Sequence, residues 1–260
     1  MSYMTKDEIM KRLQEHYDEA SKQGEVFGVF LQGSQNYIDD LFFEGSDVDS
    51  RAIYIPNKKE ICLGKDISKP ELVLSNGEHI DRFDIRKFVN LLRKPGINNY
   101  ESLFSEYFII NDNYNDSYER LVEIREEIVR SNEKTFVMAT MGISMRDFKA
   151  LQKRTGGEDY DIEKYGYSRK RLSNIMRFNH TIKAYIDGKS FSKCLKSMDQ
   201  QLIYDVRRTD KYNLKEALEI ASEMDKETHK LAKEFTGKFN NKILDELDDI
   251  LVDLLTMKFN

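Results

Sequence analysis

The chain has 260 residues, 40% hydrophobic and 33% charged, with a net charge of −5. That balance suits one large domain or two modest ones with real cores, and it excludes a disordered chain. No apolar run approaches the roughly 20 residues a membrane span needs, and the net negative charge argues against broad nonspecific nucleic-acid binding.

In chain order, Thr5 and Glu8 make a capping-box pattern ahead of Ile9, Leu13 and Tyr17 at helical spacing, which predicts a first helix ending near Gln23-Gly24. The opening MSYMTKDEIMKRL is charged and amphipathic, unlike a signal peptide. An apolar strand, Val26 to Leu31, then runs into Gln32-Gly33-Ser34. After twelve further residues Asp47-Val48-Asp49 opens a second apolar run that stops at Pro56. Strand side chains alternate, so Asp47 and Asp49 share one face while Val48 points to the other. Two carboxylates side by side are costly unless a cation sits with them, and magnesium takes oxygen ligands while sharing substrate phosphates. Gly33 lets the backbone turn so that its amides approach an anion, and Ser34 adds a hydroxyl donor. Taken singly, Gly-Ser is an ordinary turn and Asp-x-Asp an ordinary solvated strand edge; their order and spacing point to a phosphate and metal site.

The stretch resembles the signature of the DNA polymerase β-like nucleotidyltransferase superfamily: a hydrophobic strand with Gly-Ser, about a dozen residues, then Asp-x-Asp. More narrowly, GSQNY and SDVDSRAIYIP are similar to the pattern of the RNA-repair-associated predicted nucleotidyltransferases, a branch also common in bacterial viruses. The matching positions are Gly33, Ser34, Tyr37, Ser46, Asp47, Asp49, Arg51, Ile53 and Tyr54. Ile38 and Ala52 stand where that family usually has glycine.

From Asn57 to Gly77 the pattern predicts loops and short strands. Asn76-Gly77 is a turn signal, so Glu71–Ser75 and Glu78–Phe83 are expected to pair. Asp84 can cap a helix whose buried stripe is Ile85, Phe88, Val89, Leu91 and Leu92, ending at Pro95-Gly96. Polymerase β-like enzymes carry a third carboxylate on a neighbouring strand, where it completes the metal site and can take the attacking hydroxyl's proton. The resemblance assigns this to Asp81, ahead of Arg-Lys-Phe, with Asp84 as the rival that a helix cap also explains. Asn98, Asn99 and Glu101 resemble the family's Asn-Pro-Asn-x-x-Glu segment, or are the start of a solvent-facing helix.

A helix over 114–130 ends at Ser131-Asn132, where a domain boundary is expected. Beyond it the pattern is helical throughout, roughly 132–153, 166–187, 190–206, 213–235 and 240–258. Between Lys149 and Lys189 ten Lys and Arg face five Asp and Glu, whereas Glu216 to Asp253 carries eleven acids and five bases. The basic part could meet an anionic substrate or be a solvated helix face. Lys170, Asn174 and Arg177 resemble the family's Lys-x-x-x-His-x-x-Arg and share one helix face. The resemblance implies that Lys170 and Arg177 counter triphosphate charge; as plain residues they are surface cations. Arg207, Arg208 and Tyr212 resemble a further family segment, whose usual Leu-Pro is absent near Thr236. Cys62 and Cys194 lie far apart, without partners at metal spacing, as free thiols of a reducing cytoplasm would.

The expectation is therefore an α+β chain: a nucleotidyltransferase domain with a mixed sheet over 1–130, then an α-helical C-terminal domain over 131–260, with the active site in the cleft between them. By resemblance, Gly33 and Ser34 would hold the phosphates of an NTP, Asp47, Asp49 and Asp81 would bind two Mg2+ ions, and the acceptor would be an RNA 3′ end. The alternatives are the same chemistry on a protein or small-molecule acceptor such as an aminoglycoside, and a nucleotide-binding regulator without catalysis. Base preference, the number of nucleotides added and oligomeric state are not written in the sequence.

Overall fold

A computed structural model describes residues 5–33, 36, 47–67, 70–157, 159–196 and 199–259. The chain is α+β and divides into two compact units, Met1–Ser131 with Phe239–Asn260, and Asn132–Lys238.

The first unit is built on a mixed five-stranded sheet. Helix α1 (Lys6–Ser21) starts at the expected Thr5/Glu8 capping box and buries Ile9, Leu13, His16 and Ala20 along one stripe. Strand β1 (Val26–Leu31) is buried on both faces. It pairs antiparallel with β2 (Ser50–Tyr54). Helix α2 (Lys58–Leu63) follows, and then the hairpin β3 (Glu71–Val73) and β4 (His79–Asp84) forms across Asn76-Gly77 as predicted. Strand β4 runs parallel to β2. Helices α3 (Ile85–Leu92) and α4 (Ile97–Tyr100), a 3-10 turn at Glu101–Phe104, strand β5 (Phe108–Ile110) and helix α5 (Asn115–Arg130) complete the run. The strand order is β3-β4-β2-β1-β5.

The sheet's two faces have different clients. Val29, Leu31, Val48, Ala52 and Ile80 pack with Ile9 and Leu13 of α1. On the other face Phe30 stacks on Phe88 of α3 at 6.3 Å and lies 6.0 Å from Tyr118 of α5. β1 can sit this close to β5 because residue 28 is glycine: a Cβ there would come within 2.7 Å of Ile110 Cδ1 and 3.0 Å of the Ile109 carbonyl oxygen.

The second unit is helical: α6 (Glu133–Ala150), α7 (Asp159–Tyr165), α8 (Arg169–Ile186), α9 (Phe191–Leu195), α10 (Gln200–Arg208) and α11 (Leu214–Glu234). Helix α8 is its axis, packed by α6, α9, α10 and α11. Phe136 and Tyr185 lie with ring centroids 4.3 Å apart at its centre. Among the described residues no helix is long and apolar enough to cross a membrane.

Several expectations differ from what is observed, α7 between the expected helices 132–153 and 166–187 among them. Residues 57–77 contain a helix, α2, with its own capping box of Asn57 and Glu60 and a left-handed Gly64 at its end. It is one and a half turns long with no buried residue, so no apolar period announced it. The stretch 190–206 is two helices, α9 and α10. Finally, residues 131–260 were expected to form one domain, whereas the final helix α12 (Lys242–Thr256) belongs to the first unit, packed on α5 and α3. Its Ile243, Leu247, Ile250 and Leu254 are buried there, and Asp253 and Asp248 pair with Arg120 (2.7 Å) and Arg93.

Candidate functional site

Strand pairing in the first unit brings the motif residues together. Beyond the β1–β2 ladder, the Gln32 amide donates to the Asp49 carbonyl at 2.8 Å, so the glycine turn and the Asp-x-Asp segment lie side by side. In β2, Arg51 stands opposite Asp81 of β4. The alternation works as expected: Val48, Ser50 and Ala52 are buried toward α1, while Asp47 and Asp49 are exposed. The result is a pocket of about 450 Å³ whose walls include Gly33, Asp49, Arg51, Asp81, Asn98 and Glu101, with Glu71 and His79 at its rim.

Gly33 has a φ of +91°, a region L side chains rarely adopt, which is why glycine stands at the turn. Its amide is engaged by a protein carboxylate. Glu101, 6% exposed, accepts from Gly33 N–H at 2.8 Å and from Asn36 Nδ2 at 3.1 Å. Asn36 in turn donates to the Leu31 carbonyl at 2.8 Å, and Gln32 Nε2 donates to Ser102 Oγ at 3.0 Å. The 3-10 turn at Glu101–Phe104 thus braces the glycine turn from below. Ser34, Tyr37 and Ser46 lie outside the described residues.

Arg51 is the pocket's internal cation. Its guanidinium lies 3.5 Å from Asp81, donates to Ser102 Oγ at 3.0 Å and sits 4.3 Å from the centre of the Phe83 ring. Burial lowers its pKa from the ordinary value, while the charges of Asp81 and Glu101 act against that; an arginine stays protonated throughout. At the rim, His79 Nδ1 bonds Glu71 at 2.7 Å. That hydrogen bond, with the charges of Glu71, Asp49 and Asp47, raises the pKa of His79. Both motif aspartates therefore set the local potential.

Asp81 and Asp84 are separated by the strand's alternation. Asp84 is buried and caps α3, accepting from Arg86 N–H at 2.8 Å and from the Arg86 side chain at 2.6 Å. Asp81 is the one that faces the pocket. For a hard cation the donor chemistry suits: Asp47 and Asp49 offer carboxylate oxygens from one face of one segment. Among the described residues no three His, Cys, Asp or Glu side chains gather into a metal-holding group, and Asp81 is paired with Arg51.

The basic trio lies on α8 of the second unit. Lys170 is exposed, Asn174 Nδ2 donates to Asp147 Oδ2 at 3.0 Å, and Arg177 is 8% exposed with its guanidinium 4.6 Å from the Phe178 ring centre. One shared helix face thus leads to three environments. Residues that sequence reasoning passed over stand behind the Asp-x-Asp segment: Glu78 accepts from Val48 N–H at 2.6 Å and is met by Arg12 and His16. A histidine on the buried stripe of α1 was the available signal.

No family model matches the chain, and a comparison with curated proteins finds no match.

Proposed function

We propose that the chain is a Mg2+-dependent nucleotidyltransferase of polymerase β-like fold, moving an NMP from an NTP to an RNA 3′-hydroxyl and releasing pyrophosphate. The observation that carries this is the gathering of Gly33, Asp49, Arg51, Asp81 and Glu101 around one pocket. Each was singled out by the motif or its continuation, and they come from four separate segments of the chain.

In this reading Asp47 and Asp49, with Asp81, would hold magnesium. When bound, the metal stabilises the attacking and leaving oxygens of an in-line displacement. The chain's own groups do the rest. The Gly33 amide would meet the phosphates in place of the Glu101 carboxylate that holds it now, and the guanidinium of Arg51 balances charge at the pocket wall. Asp81 accepts the proton of the acceptor hydroxyl as its oxygen bonds the α-phosphorus and the bond to the β-phosphate oxygen breaks. Lys170 and Arg177 enter as triphosphate partners through the family resemblance alone.

A second reading keeps the chemistry and changes the acceptor to a cationic small molecule or a protein side chain. It is favoured by the pocket's charge, four carboxylates (Asp49, Glu71, Asp81, Glu101) against Arg51 and His79. Incubating the protein with Mg2+, each α-32P NTP, total RNA and cell extract separates the two. Label in nuclease-sensitive material supports the RNA acceptor, and label in protein or small molecules supports the second reading. Asp49→Asn should abolish labelling with the fold intact; unchanged labelling would refute the metal-site assignment. Nucleotide binding without transfer would leave a regulator.

A further inference from the structure

Behind the Asp-x-Asp segment lies a polar network that the chemistry above does not use. Glu78 is 1% exposed and His16 fully buried, against the aliphatic layer of Ile9, Leu13, Val48, Ala52 and Ile80. The Glu78 carboxylate takes four donors: Val48 N–H at 2.6 Å, Asn76 Nδ2 at 2.7 Å, His16 Nε2 at 3.1 Å and the Arg12 guanidinium. His16 Nδ1 reaches Ser50 Oγ at 2.7 Å. A neutral imidazole satisfies both bonds, with Nε2–H donating to Glu78 and Nδ1 accepting from the Ser50 hydroxyl.

Stability alone does not call for this arrangement. Replacing a buried ion pair by apolar side chains of like volume is often neutral or stabilising, and the neighbouring positions are already aliphatic. What the network does achieve is geometric. The Val48 N–H belongs to the peptide that joins Asp47 to Val48, so a carboxylate holding it fixes the backbone between the two aspartates. On the far side the Asp49 carbonyl is held by Gln32 N–H at 2.8 Å. The segment is clamped at both ends by groups from α1, the turn before β4 and the glycine turn.

We propose that Glu78 is a positioning residue for the aspartate pair, holding Asp47 and Asp49 at the separation a divalent cation needs. The inference rests on the metal-site reading above and deepens it. Groups that orient metal ligands from behind are worth roughly 10–100-fold in metal affinity. Both carboxylate oxygens and the reach of Glu78 are used: Oε2 accepts from Asn76 and His16, which the amide nitrogen of a glutamine could not do. An aspartate there keeps the negative charge near Arg12 and His16 but is one methylene too short to hold Val48 N–H in the same place.

The test uses the full chain and Mn2+ alone, titrated by electron paramagnetic resonance, for wild type, Asp49→Asn, Glu78→Gln and Glu78→Asp, with circular dichroism to confirm equal folded fractions. Wild type should bind and Asp49→Asn should not. Glu78→Gln and Glu78→Asp should each bind about 10-fold or more weakly per folded molecule. A purely structural role would lower the urea midpoint without moving Mn2+ affinity. Wild-type affinity in both Glu78 variants, with Asp49→Asn still defective, overturns the positioning role alone. If Glu78→Gln fails to fold, Glu78→Asp decides. Absence of Mn2+ binding in wild type overturns the metal site and the positioning role together.

Discussion

Protonating His16 should weaken the first unit, and the size of the effect follows from its surroundings. Burial, with the Arg12 guanidinium nearby, pushes its pKa from the ordinary 6.5 down to about 4. The groups facing it are Arg12, Ser50 and Glu78. Glu78, 3.1 Å from Nε2, favours the imidazolium, but its charge is shared with the Arg12 guanidinium, which opposes it. In the unfolded chain the side chain takes up a proton near 6.5, and in the folded chain only near 4. Between those values the unfolded state binds more protons, so stability is complete above about pH 6.5 and falls as the pH drops toward 4. At about 1.4 kcal/mol per pH unit the loss reaches about 3 kcal/mol. Urea unfolding followed by circular dichroism, from pH 7 to pH 4, for wild type and His16→Gln reads this directly. Carboxylate protonation is common to both proteins and cancels in the difference, since glutamine does not titrate. The stability advantage of wild type should shrink by about 3 kcal/mol across that range. A difference constant to within about 0.5 kcal/mol would mean that His16 titrates alike in both states, and the argument from burial would be wrong.

Two glycines should fail for different reasons. Gly33→Ala meets no atom of the described residues within 4 Å, and its φ of +91° should cost about 1–2 kcal/mol. Gly28→Ala forces a Cβ to 3.0 Å from the Ile109 carbonyl oxygen, which cannot yield without parting β1 from β5, so it should cost about 3 kcal/mol or more. Thermal melts that reverse this order would refute both assignments. Glu101→Ala removes the acceptor of the Gly33 amide and of Asn36 and should destabilise by about 1–3 kcal/mol. Since that carboxylate competes for the amide, added pyrophosphate should raise the urea midpoint of Glu101→Ala more than that of wild type. An equal rise would show that the Gly33 amide does not bind phosphate.

Much of the fold was legible where the determinants are local. Thr5 and Glu8 cap α1, Asn76-Gly77 turns the β3–β4 hairpin, and Asp84 caps α3, each within a few residues of its partner. The order of Gly33 and Asp49 along the chain pointed to one pocket wall because β1 and β2 pair directly. Distant partners were not legible. The period of α12 specifies a helix but not that its apolar stripe returns to α5 and α3 across the whole second unit. β5 is three residues long, too short for alternation to show. Glu78, following a turn, looks like a surface residue in the sequence, and only the packing of α1 behind it makes it the most enclosed carboxylate of the site.

Two buried carboxylates, Glu78 and Glu101, hold backbone amides of the motif, Val48 and Gly33 respectively. They come from a turn and a 3-10 helix on either side of the sheet. This division of labour has a physical reason. Asp47 and Asp49 repel one another, and a segment carrying both would relax by splaying unless its backbone were tied down. Anchoring it through main-chain amides fixes the backbone while the aspartate side chains stay exposed at the surface. The negative potential that raises the pKa of His79 comes from Glu71 and from the two aspartates themselves. A cation arriving at Asp47 and Asp49 would then meet ligands already in place, with little conformational entropy left to lose.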